Sequence, residues 1–409
     1  MRRIAWIVLV VFVFAIPWEY SLDLGEPLGN VARLAGLLLL MAAVPAVLQA
    51  KGLRAPGLLQ WLVLALYLWF CLTAFWSIDQ AETLLKLRAF FQEMMVVWLV
   101  WEFAESPEDL RTLLRATVLG CWVLAALTLA DFRSAAALAA EQVRFAAYGQ
   151  DPNDVARLLA LGLPLAGLLA ATEKRRSASL LAFAYLPVGF LAVLLTASRG
   201  GFLAALVALA GVAVVLLRGH RRAQRISLFA LPVFLAAVWL AVPSDIFARL
   251  ATISEQLRGG DLNQRLNIWS LGWRAFVYAP VFGSGMGTFV AATGLSSIDT
   301  AHNTILAILV GGGLCGLFLC VAIVLVTVRA AFETGGRVRI AFGAALLSWL
   351  VSAQVATVEE SRFTWLLIAL VALAARLAAE NCAGFANCFP EPTGVALPTS
   401  LPTAIETAG

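Results

Sequence analysis

The chain is dominated by runs of apolar residues, each roughly 20 residues long, the length that crosses a bilayer as a helix. Of its 409 residues, 62% are hydrophobic and only 13% are charged. Because an unpaired peptide group in hydrocarbon costs several kcal/mol, such runs must pair their own backbone groups within a helix. The sequence therefore predicts an all-α, polytopic membrane protein and excludes an ordinary soluble domain.

Twelve runs are predicted to span the membrane. They cover residues 4–17, 28–48, 57–75, 83–103, 110–130, 154–171, 178–195, 201–217, 227–243, 303–328, 340–357 and 362–379. The first is short and follows Arg2 and Arg3, as in a cleaved signal peptide, but we expect a retained helix. Residues 1–379 are predicted to form one transmembrane domain. Residues 380–409, rich in Pro, Thr and Ala, are predicted to be a disordered tail.

The distribution of Lys and Arg predicts the orientation, because such residues concentrate in the cytoplasmic loops of membrane proteins. They fall in alternate loops: Arg2 and Arg3, Lys51 and Arg54, Lys174 to Arg176, Arg218 to Arg225, and Arg329 to Arg339. Only the loop from Glu102 to Asp109 is acidic. Both termini are therefore predicted in the cytoplasm, and the long polar loops 131–153 and 244–301 on the outer face. The second of these loops, between the ninth and tenth spans, is predicted to be helical. The net charge of +4 implies no nucleic-acid partner.

Arginines on the outer face run against this bias and need a reason to be there. The predicted set is Arg88, Arg133, Arg144, Arg157, Arg199, Arg249, Arg258, Arg265, Arg274 and Arg362. A planar guanidinium suits a diphosphate, because it donates paired hydrogen bonds and keeps its charge. For any one of these residues, pairing with a carboxylate or a lipid headgroup is the simpler role.

Two of the arginines lie in segments that favour a functional role. Arg199 lies in Thr196 to Gly201, where one apolar helix ends, two glycines permit close approach, and another helix starts. Arg265 lies in a predicted amphipathic helix from Asp261, its cap, to Pro280, its end. The apolar face of that helix is predicted to comprise Leu262, Leu266, Trp269, Trp273 and Phe276. Anchoring in the membrane interface and phosphate binding are equally compatible with this pattern.

His302 is one of only two histidines and lies where a long apolar span begins. With Asp299 and Thr300 as caps, it is predicted in the first helical turn, where the helix dipole favours a neutral imidazole that can act as a base. A purely structural histidine is the alternative. The preceding Gly283-Ser284-Gly285-Met286-Gly287 has no strand before it, so we predict a flexible loop beside the site and no dinucleotide site.

Other chemistries lack their motifs. The sequence contains no Asp-x-Asp pair, zinc-ligand cluster or Gly-x-Ser-x-Gly elbow, and Ser198 has no histidine near it in sequence. We therefore expect no metal and no cofactor. Four of the six cysteines lie in predicted spans and two in the predicted cytoplasmic tail, so no structural disulfide is expected.

Five segments in this order resemble the O-antigen ligase and O-antigen polymerase superfamily, over roughly residues 60–380. They are Asp151-Pro152-Asn153-Asp154 opening a helix, Thr196 to Gly201, Arg265 with Ile268-Trp269, residues 280–289, and His302-Asn303 followed by Gly313-x-x-Gly316. The histidine motif and the Ser-Arg-Gly-Gly turn are the most specific. The resemblance implies a metal-independent, inverting glycosyltransferase of the bacterial inner membrane. It would act at the periplasmic face on a glycan carried by undecaprenyl diphosphate.

The resemblance also implies roles for individual residues. Arg199 and Arg265 match family arginines that hold the diphosphate, and His302 matches the histidine that activates the acceptor hydroxyl. We expect Arg88 and Arg157 to assist in binding the diphosphate. The residues expected to support the site are Ser198, Asn303, Asn153, Asp154 and Trp269.

The acceptor is less constrained than the donor. A ligase transfers the glycan to lipid A core, a polymerase to another lipid-linked glycan, and a protein-glycosylating relative to Ser or Thr. The moderate length of loop 244–301 favours the ligase slightly. A transporter or flippase for a lipid-linked glycan is the alternative from another class, but most of the predicted spans lack charged residues.

Overall fold

The computed structural model describes residues 1–409 except 23, 26–28, 51, 138–142, 218–235, 237, 240–241, 261, 263, 297–299 and 391–409. The described part is all-helical and contains no strands, as predicted. Its first eight helices are α1 (Arg2–Ala15, continued by a 3-10 helix Ile16–Ser21), α2 (Val31–Gln49), α3 (Leu58–Thr73), α4 (Gln80–Phe103), α5 (Pro107–Ala137), α6 (Pro152–Thr172), α7 (Arg176–Leu195) and α8 (Arg199–Leu217). The others are α9 (Ser244–Ala251), α10 (Ile253–Gly259), α11 (Arg265–Tyr278), α12 (Phe289–Thr293), α13 (Thr304–Glu333), α14 (Gly336–Ala353), α15 (Arg362–Glu380) and α16 (Cys382–Cys388).

Nine of the described helices are long and apolar enough to cross a membrane. They correspond to nine of the twelve predicted spans. Helix α3 is apolar but has only 16 residues. Helix α4 has 24 residues but carries several charged side chains, among them Lys86, Arg88 and Glu93. The predicted span 227–243 lies mostly outside the described residues. The chain is thus a multi-pass helical membrane protein.

The centre of the bundle is helix α6, which packs against α5, α7, α8 and α14. Small residues allow its neighbours to approach closely. A Cβ added at Gly201 of α8 would overlap the Cβ of Ala156 on α6, and one at Gly211 would overlap Ala344 on α14. This packing brings the N-terminal ends of α6 and α8 side by side. The loop before α6, which contains Arg144, therefore lies next to the turn before α8, where Arg199 lies.

Ion pairs at one end of the bundle explain the acidic loop that interrupts the Lys and Arg pattern. Arg2 pairs with Glu102 at 3.1 Å and with Glu105 at 2.7 Å. On the neighbouring helices, Arg115 binds Glu173 at 2.6 Å. The acidic residues therefore lie on the same face as the basic loops and partly neutralise them, as the alternation of the spans requires.

The predicted disordered tail begins with ordered structure. Helix α16 follows α15 and packs against α5, with Phe385 and Cys388 buried. Arg337 Nη1 donates a hydrogen bond to the Pro390 carbonyl at 3.0 Å. The two phenylalanines of this segment bury enough apolar surface to order a short helix that the Pro- and Thr-rich composition does not suggest. Residues 391–409 lie outside the described part.

Helix α13 is interrupted where the glycine loop meets it. Gly313 has φ 63° and ψ −163°, which ends the regular helix within the span. Ser284 N donates to the Val310 carbonyl at 2.8 Å, and Leu314 N donates to the Pro280 carbonyl at 2.9 Å. The loop thus satisfies backbone groups on both sides of the break, as a non-helical segment within a span requires. The prediction of a flexible loop is wrong, because these hydrogen bonds hold the loop against α13.

Candidate active site

The turn between α7 and α8 positions Arg199. The preceding Ala197 has φ 49°, a left-handed conformation that turns the chain between the two helices. Arg199 Nε donates to the carbonyl of Arg249 on α9 at 3.3 Å, and Arg249 Nε donates back to the carbonyl of Ala197 at 3.2 Å. A Cβ at Gly200 would lie 2.6 Å from Val355 Cγ2, so glycine lets the loop after α14 approach closely. Arg199 is thereby held against the backbone of Arg249, and Arg249 against the backbone of the turn that precedes Arg199.

The N-terminus of α6 supports the same turn. Asp151 caps the helix by accepting a hydrogen bond from Asn153 N at 2.7 Å. Asn153 Oδ1 accepts from Ser198 Oγ at 2.9 Å and from Arg144 Nη2 at 2.8 Å. Arg144 Nε also donates to the Thr196 carbonyl at 3.2 Å. Asn153 and Ser198 are therefore positioning residues, and they add a third arginine to the group.

Helix α11 supplies the fourth arginine, although its start and its buried face differ from the prediction. The helix begins at Arg265 after Gln264, which has φ 63° and makes no capping hydrogen bond through its side chain. The predicted cap, Asp261, lies outside the described residues. The buried positions are Ile268, Gly272 and Phe276. Leu266 and Trp273 of the predicted apolar face are 49% and 56% exposed.

The difference in the buried face has a physical reason. Helix α11 is apolar on two sides, whereas the periodicity of its sequence indicated a single apolar face. One side packs against α12 and α13. The other side exposes large apolar side chains, including Trp273 and Val277. An exposed apolar stripe with Trp is typical of a helix in the membrane interface. Interfacial anchoring and a role in the site are therefore compatible in this helix.

Three of these arginines, Arg199, Arg249 and Arg265, line a cavity of about 110 Å³, here called the arginine cavity. Its walls include Asn153, Arg199, Arg249, Arg265, Trp269 and Val355. Burial lowers the pKa of Arg265, an effect that Asp151 opposes and Arg199 reinforces. Burial also lowers the pKa of Arg144, and Arg249 adds to the effect. Because these guanidiniums lose solvation and repel one another, an anion bound among them would offset both effects.

His302 lies beside this cavity, just before α13. The cap of α13 is Asn303, whose Oδ1 accepts from Leu306 N at 2.9 Å. The prediction that His302 lies in the first turn with Asp299 or Thr300 as cap is therefore wrong. His302 precedes the cap, with φ 47°, and Asp299 lies outside the described residues. The reason is that the Asn303 side chain reaches the third residue beyond it, as the standard capping geometry requires.

Contacts on both sides of His302 connect it to the walls of the arginine cavity. Trp269 Nε1 donates to the Ala301 carbonyl at 3.1 Å. Asn303 Nδ2 donates to the carbonyl of Gln354, the neighbour of Val355, at 3.2 Å. The Thr300 hydroxyl contacts His302 Nδ1 at 3.2 Å. The imidazole is half-buried and held next to the arginines by the residues that flank it in sequence.

Of the two additional arginines predicted for the diphosphate, only one lies close to His302. Arg157 pairs with Asp154 at 3.4 Å and donates to the Thr357 carbonyl at 3.5 Å. Asp154 in turn interacts electrostatically with His302. Arg88 instead lines a separate cavity of about 200 Å³ together with Arg33 and Arg362. The structure therefore does not bring Arg88 to the arginine cavity, because its position on α4 faces α2.

Sequence reasoning did not single out Arg144 and Arg249. Both belong to the outer-face set, but neither lies in a motif, and only their tertiary hydrogen bonds to the 196–199 turn distinguish them. Arg362 shows the simpler role expected for an outer arginine, since it pairs with Glu19 in the core. Within the described ranges, no group of three metal-ligating side chains was found.

Backbone strain concentrates at the same place. In the described part of the chain, the non-glycine residues with positive φ are Ala197, Leu262, Gln264 and His302. Each of these residues lines the arginine cavity, lies next to a residue that lines it, or is His302 itself. Such conformations cost about 1–3 kcal/mol each and persist where surrounding contacts enforce them, most often at functional sites. The strained residues therefore coincide with the arginine cavity and with His302.

Comparison with known proteins finds a family that matches part of the chain. A family model described as O-antigen ligase matches residues 180–321, which include Arg199, Arg249, Arg265 and His302. Arg144 and Asn153 lie before the matched segment. No curated protein matches the chain. The resemblance inferred from the motifs is confirmed: the chain is similar to the O-antigen ligase family, within the O-antigen ligase and polymerase superfamily.

Proposed function

We propose that this protein is an inverting, metal-independent glycosyltransferase that moves a glycan from undecaprenyl diphosphate to a hydroxyl of lipid A core. The observation that carries the proposal is the meeting of Arg199, Arg249 and Arg265 at one cavity beside His302. The reaction would take place at the periplasmic face of the inner membrane. The family match supports the class of enzyme, and the arginine cavity supports an anionic, lipid-linked donor.

The proposed chemistry needs only two functions from the protein. The acceptor oxygen attacks the anomeric carbon from the side opposite the diphosphate, and the carbon–oxygen bond to phosphate breaks. The bonding electron pair leaves with the diphosphate, whose growing charge the arginines stabilise. His302 takes the proton from the acceptor hydroxyl. A diphosphate is already a good leaving group, so a Lewis acid is not required in this scheme.

Arg157 and Asp154 have a supporting role in the proposal. Asp154 lies close enough to His302 to interact with it electrostatically, so it would stabilise the imidazolium that forms when the acceptor proton is taken. Arg157 pairs with Asp154 and would keep its carboxylate ionised. Arg144 would act with the arginines of the cavity through Asn153 and the 196–199 turn. Arg88, which lines a different cavity, has no place in this scheme.

The test is reconstitution with purified protein in detergent. Undecaprenyl-diphosphate glycan and lipid A core should yield a new glycolipid, detected by mass spectrometry. Replacing His302 with alanine should lower turnover by roughly 100- to 10,000-fold, the range typical of a positioned general base. The matched control is His220→Ala, since His220 lies among the basic residues of a predicted inner loop. That variant should keep the wild-type rate.

Three other outcomes separate the alternatives. Wild-type turnover in His302→Ala would remove the proposed base. Uptake of the lipid-linked glycan into sealed vesicles without any product would favour a transporter. The runner-up, a polymerase of the same superfamily, would instead join two lipid-linked glycans. Mass analysis of surface glycans from cells lacking the protein separates these two enzymes, because loss of a ligase leaves full-length chains on the carrier, whereas loss of a polymerase leaves single repeats attached to core.

A further inference from the structure

A second polar cavity lies on the other side of the His302 segment. It has a volume of about 190 Å³, and we call it the carboxylate cavity. Its polar lining residues are Glu82, Lys86, Thr300, Thr357, Glu359 and Glu360. All of these residues lie at the outer ends of helices or in outer loops. None of them lines the arginine cavity, and none was predicted from the sequence to bind a substrate.

The charges in the carboxylate cavity are fixed in place. Lys86 Nζ on α4 pairs with Glu360 Oε2 at 2.7 Å, which joins α4 to the loop between α14 and α15. Glu359 Oε2 is buried and has no hydrogen-bond partner within the described structure. Burial, together with the neighbouring Glu360, raises the pKa of Glu359 to about 8, while Arg157 opposes the effect. A buried, unpartnered carboxyl oxygen beside a cavity favours a ligand that donates a hydrogen bond.

The two cavities are adjacent at His302. Thr300 and Ala301 line the carboxylate cavity, and His302 follows them directly. Trp269 lines the arginine cavity and binds the Ala301 carbonyl. His302 thus stands between a cationic cavity and a carboxylate-lined one. A glycosyl transfer needs this arrangement, because the base must contact the acceptor hydroxyl while the anomeric carbon of the donor lies on the other side of that hydroxyl.

The glycine loop gives the carboxylate cavity a rigid wall. Met286 and Gly287 line the cavity. Thr83 Oγ1 donates to the Met286 carbonyl at 2.8 Å, and Met286 N donates to Thr73 Oγ1 at 3.2 Å. Because the loop is tied to α3, α4 and α13, the cavity is preformed, as ligand sites usually are.

We infer that the carboxylate cavity is the acceptor subsite and that it binds a hydroxyl-rich, unphosphorylated sugar. Carboxylates accept strong hydrogen bonds from sugar hydroxyls, and an ammonium group donates them. The carboxylates of Glu82 and Glu360 outnumber the single ammonium of Lys86 and disfavour a phosphorylated sugar, whereas the arginine cavity attracts the diphosphate of the donor. The charge of each cavity therefore selects its substrate, the donor in the arginine cavity and the acceptor in the carboxylate cavity. This inference rests on the proposed glycosyl transfer.

The kinetic test compares two glutamate variants with a matched control. Glu360→Gln and Glu82→Gln should raise the KM for lipid A core by about tenfold, the effect of losing one charge-assisted hydrogen bond. Their KM for the donor should stay within about twofold of wild type. Glu255→Gln is the control, because Glu255 is an exposed acid on α10 that lines neither cavity. Arg199→Lys should show the opposite pattern, with the donor KM raised.

A purely structural role gives a different result. If Glu360 only joined α4 to the 354–361 loop, its variant would lower the melting temperature and kcat while leaving the acceptor KM unchanged. Equal changes in the KM values for donor and acceptor in both glutamate variants would also overturn the inference. Glu82→Gln keeps the Lys86–Glu360 ion pair, so it reports on the cavity even where Glu360→Gln fails to fold.

Direct binding separates this inference from the proposed function. The probe is core oligosaccharide released from lipid A by mild acid and treated with phosphatase, titrated calorimetrically into wild-type protein without donor. Binding that weakens in Glu82→Gln but persists in Arg199→Lys supports the subsite even if no transfer is observed. Absence of binding, or tighter binding of the untreated phosphorylated oligosaccharide, overturns the inference whether or not transfer occurs.

Discussion

The guanidinium Nε atoms of the site have a specific structural use. Arg199 and Arg249 each donate Nε to a backbone carbonyl, and Arg144 does the same with the carbonyl of Thr196. These bonds fix the direction of each side chain before any substrate binds. Preorganised charges of this kind need no rearrangement during reaction, which is the largest contribution to catalysis in many enzymes.

Lysine cannot reproduce this arrangement. It keeps the charge of arginine but has neither the Nε donor nor the planar fork. We therefore expect Arg199→Lys, Arg249→Lys and Arg265→Lys to reduce turnover by on the order of 10- to 100-fold, in line with the loss of bidentate phosphate contacts. The control is Arg274→Lys, an exposed position on the same helix as Arg265. Initial rates of glycolipid formation measure the effect, and a wild-type rate at any of the three positions would reassign that arginine to anchoring.

Glu359 gives a stability prediction with a defined sign. Its pKa is raised by burial from 4.5 to about 8. Between these values the folded protein holds a proton that the unfolded chain has released, so the free energy of unfolding falls as pH rises from about 4.5 towards 8. Glu359→Gln removes this titration. Its melting temperature should exceed that of wild type by more at pH 9 than at pH 5, and an equal difference at both would show that the carboxyl does not titrate in this range.

The limits of sequence reasoning at this scale are visible in particular residues. Arg199, Arg265 and His302 each lie in a pattern that the local sequence shows. Arg199 precedes two glycines in a turn, Arg265 is followed one helical turn later by a Trp, and His302 is a polar residue just before an apolar span. Arg144 and Arg249 have no such pattern, because their role depends on hydrogen bonds to a turn about 50 residues away in sequence. The positive-inside rule identified them as unusual but could not show where they point.

At the scale of the elements, the most consequential feature is the break in α13. From its apolar sequence, the span 303–328 was predicted as continuous, and the glycine loop 283–287 as flexible. The structure joins the two: Gly285 N donates to the Gly311 carbonyl at 3.1 Å, and Trp69 Nε1 donates to the Gly312 carbonyl at 2.9 Å. Glycine is compatible with both a flexible loop and a tightly packed one, so only tertiary contacts decide between them.

Gly313→Ala should disrupt this junction. Gly313 has φ 63°, and a Cβ at that position would overlap the Val281 carbonyl oxygen. The conformational cost alone is about 1–3 kcal/mol, and the overlap would displace the loop that lines the carboxylate cavity. Gly343→Ala is the control, since nothing lies within 4 Å of its added Cβ. We expect a lower melting temperature and a raised acceptor KM for Gly313→Ala alone. Equal melting temperatures for the two variants would contradict the close packing of the loop.

At the scale of the whole molecule, the charged side chains are arranged differently at the two ends of the bundle. At one end, acidic side chains pair with basic loops that are distant in sequence, as in Arg2 with Glu102 and Arg115 with Glu173. At the other end, arginines are gathered at a cavity with Asp151 as a neighbouring carboxylate. The sequence predicted nine of the spans that the described helices confirm, because each apolar run is long. It could not predict how the loops at one end pair.

This asymmetry makes the orientation testable by labelling. In the predicted topology, Tyr148 and Tyr278, which are 88% and 93% exposed, lie outside, whereas the exposed Arg175 and Cys382 lie inside. In intact spheroplasts, a membrane-impermeant maleimide should therefore label Tyr148→Cys and Tyr278→Cys, each made in a Cys382→Ser background. Arg175→Cys in that background, and the native Cys382, should react only after permeabilisation. The reverse pattern would place the arginine cavity in the cytoplasm, where a glycan already translocated on its lipid carrier could not reach it.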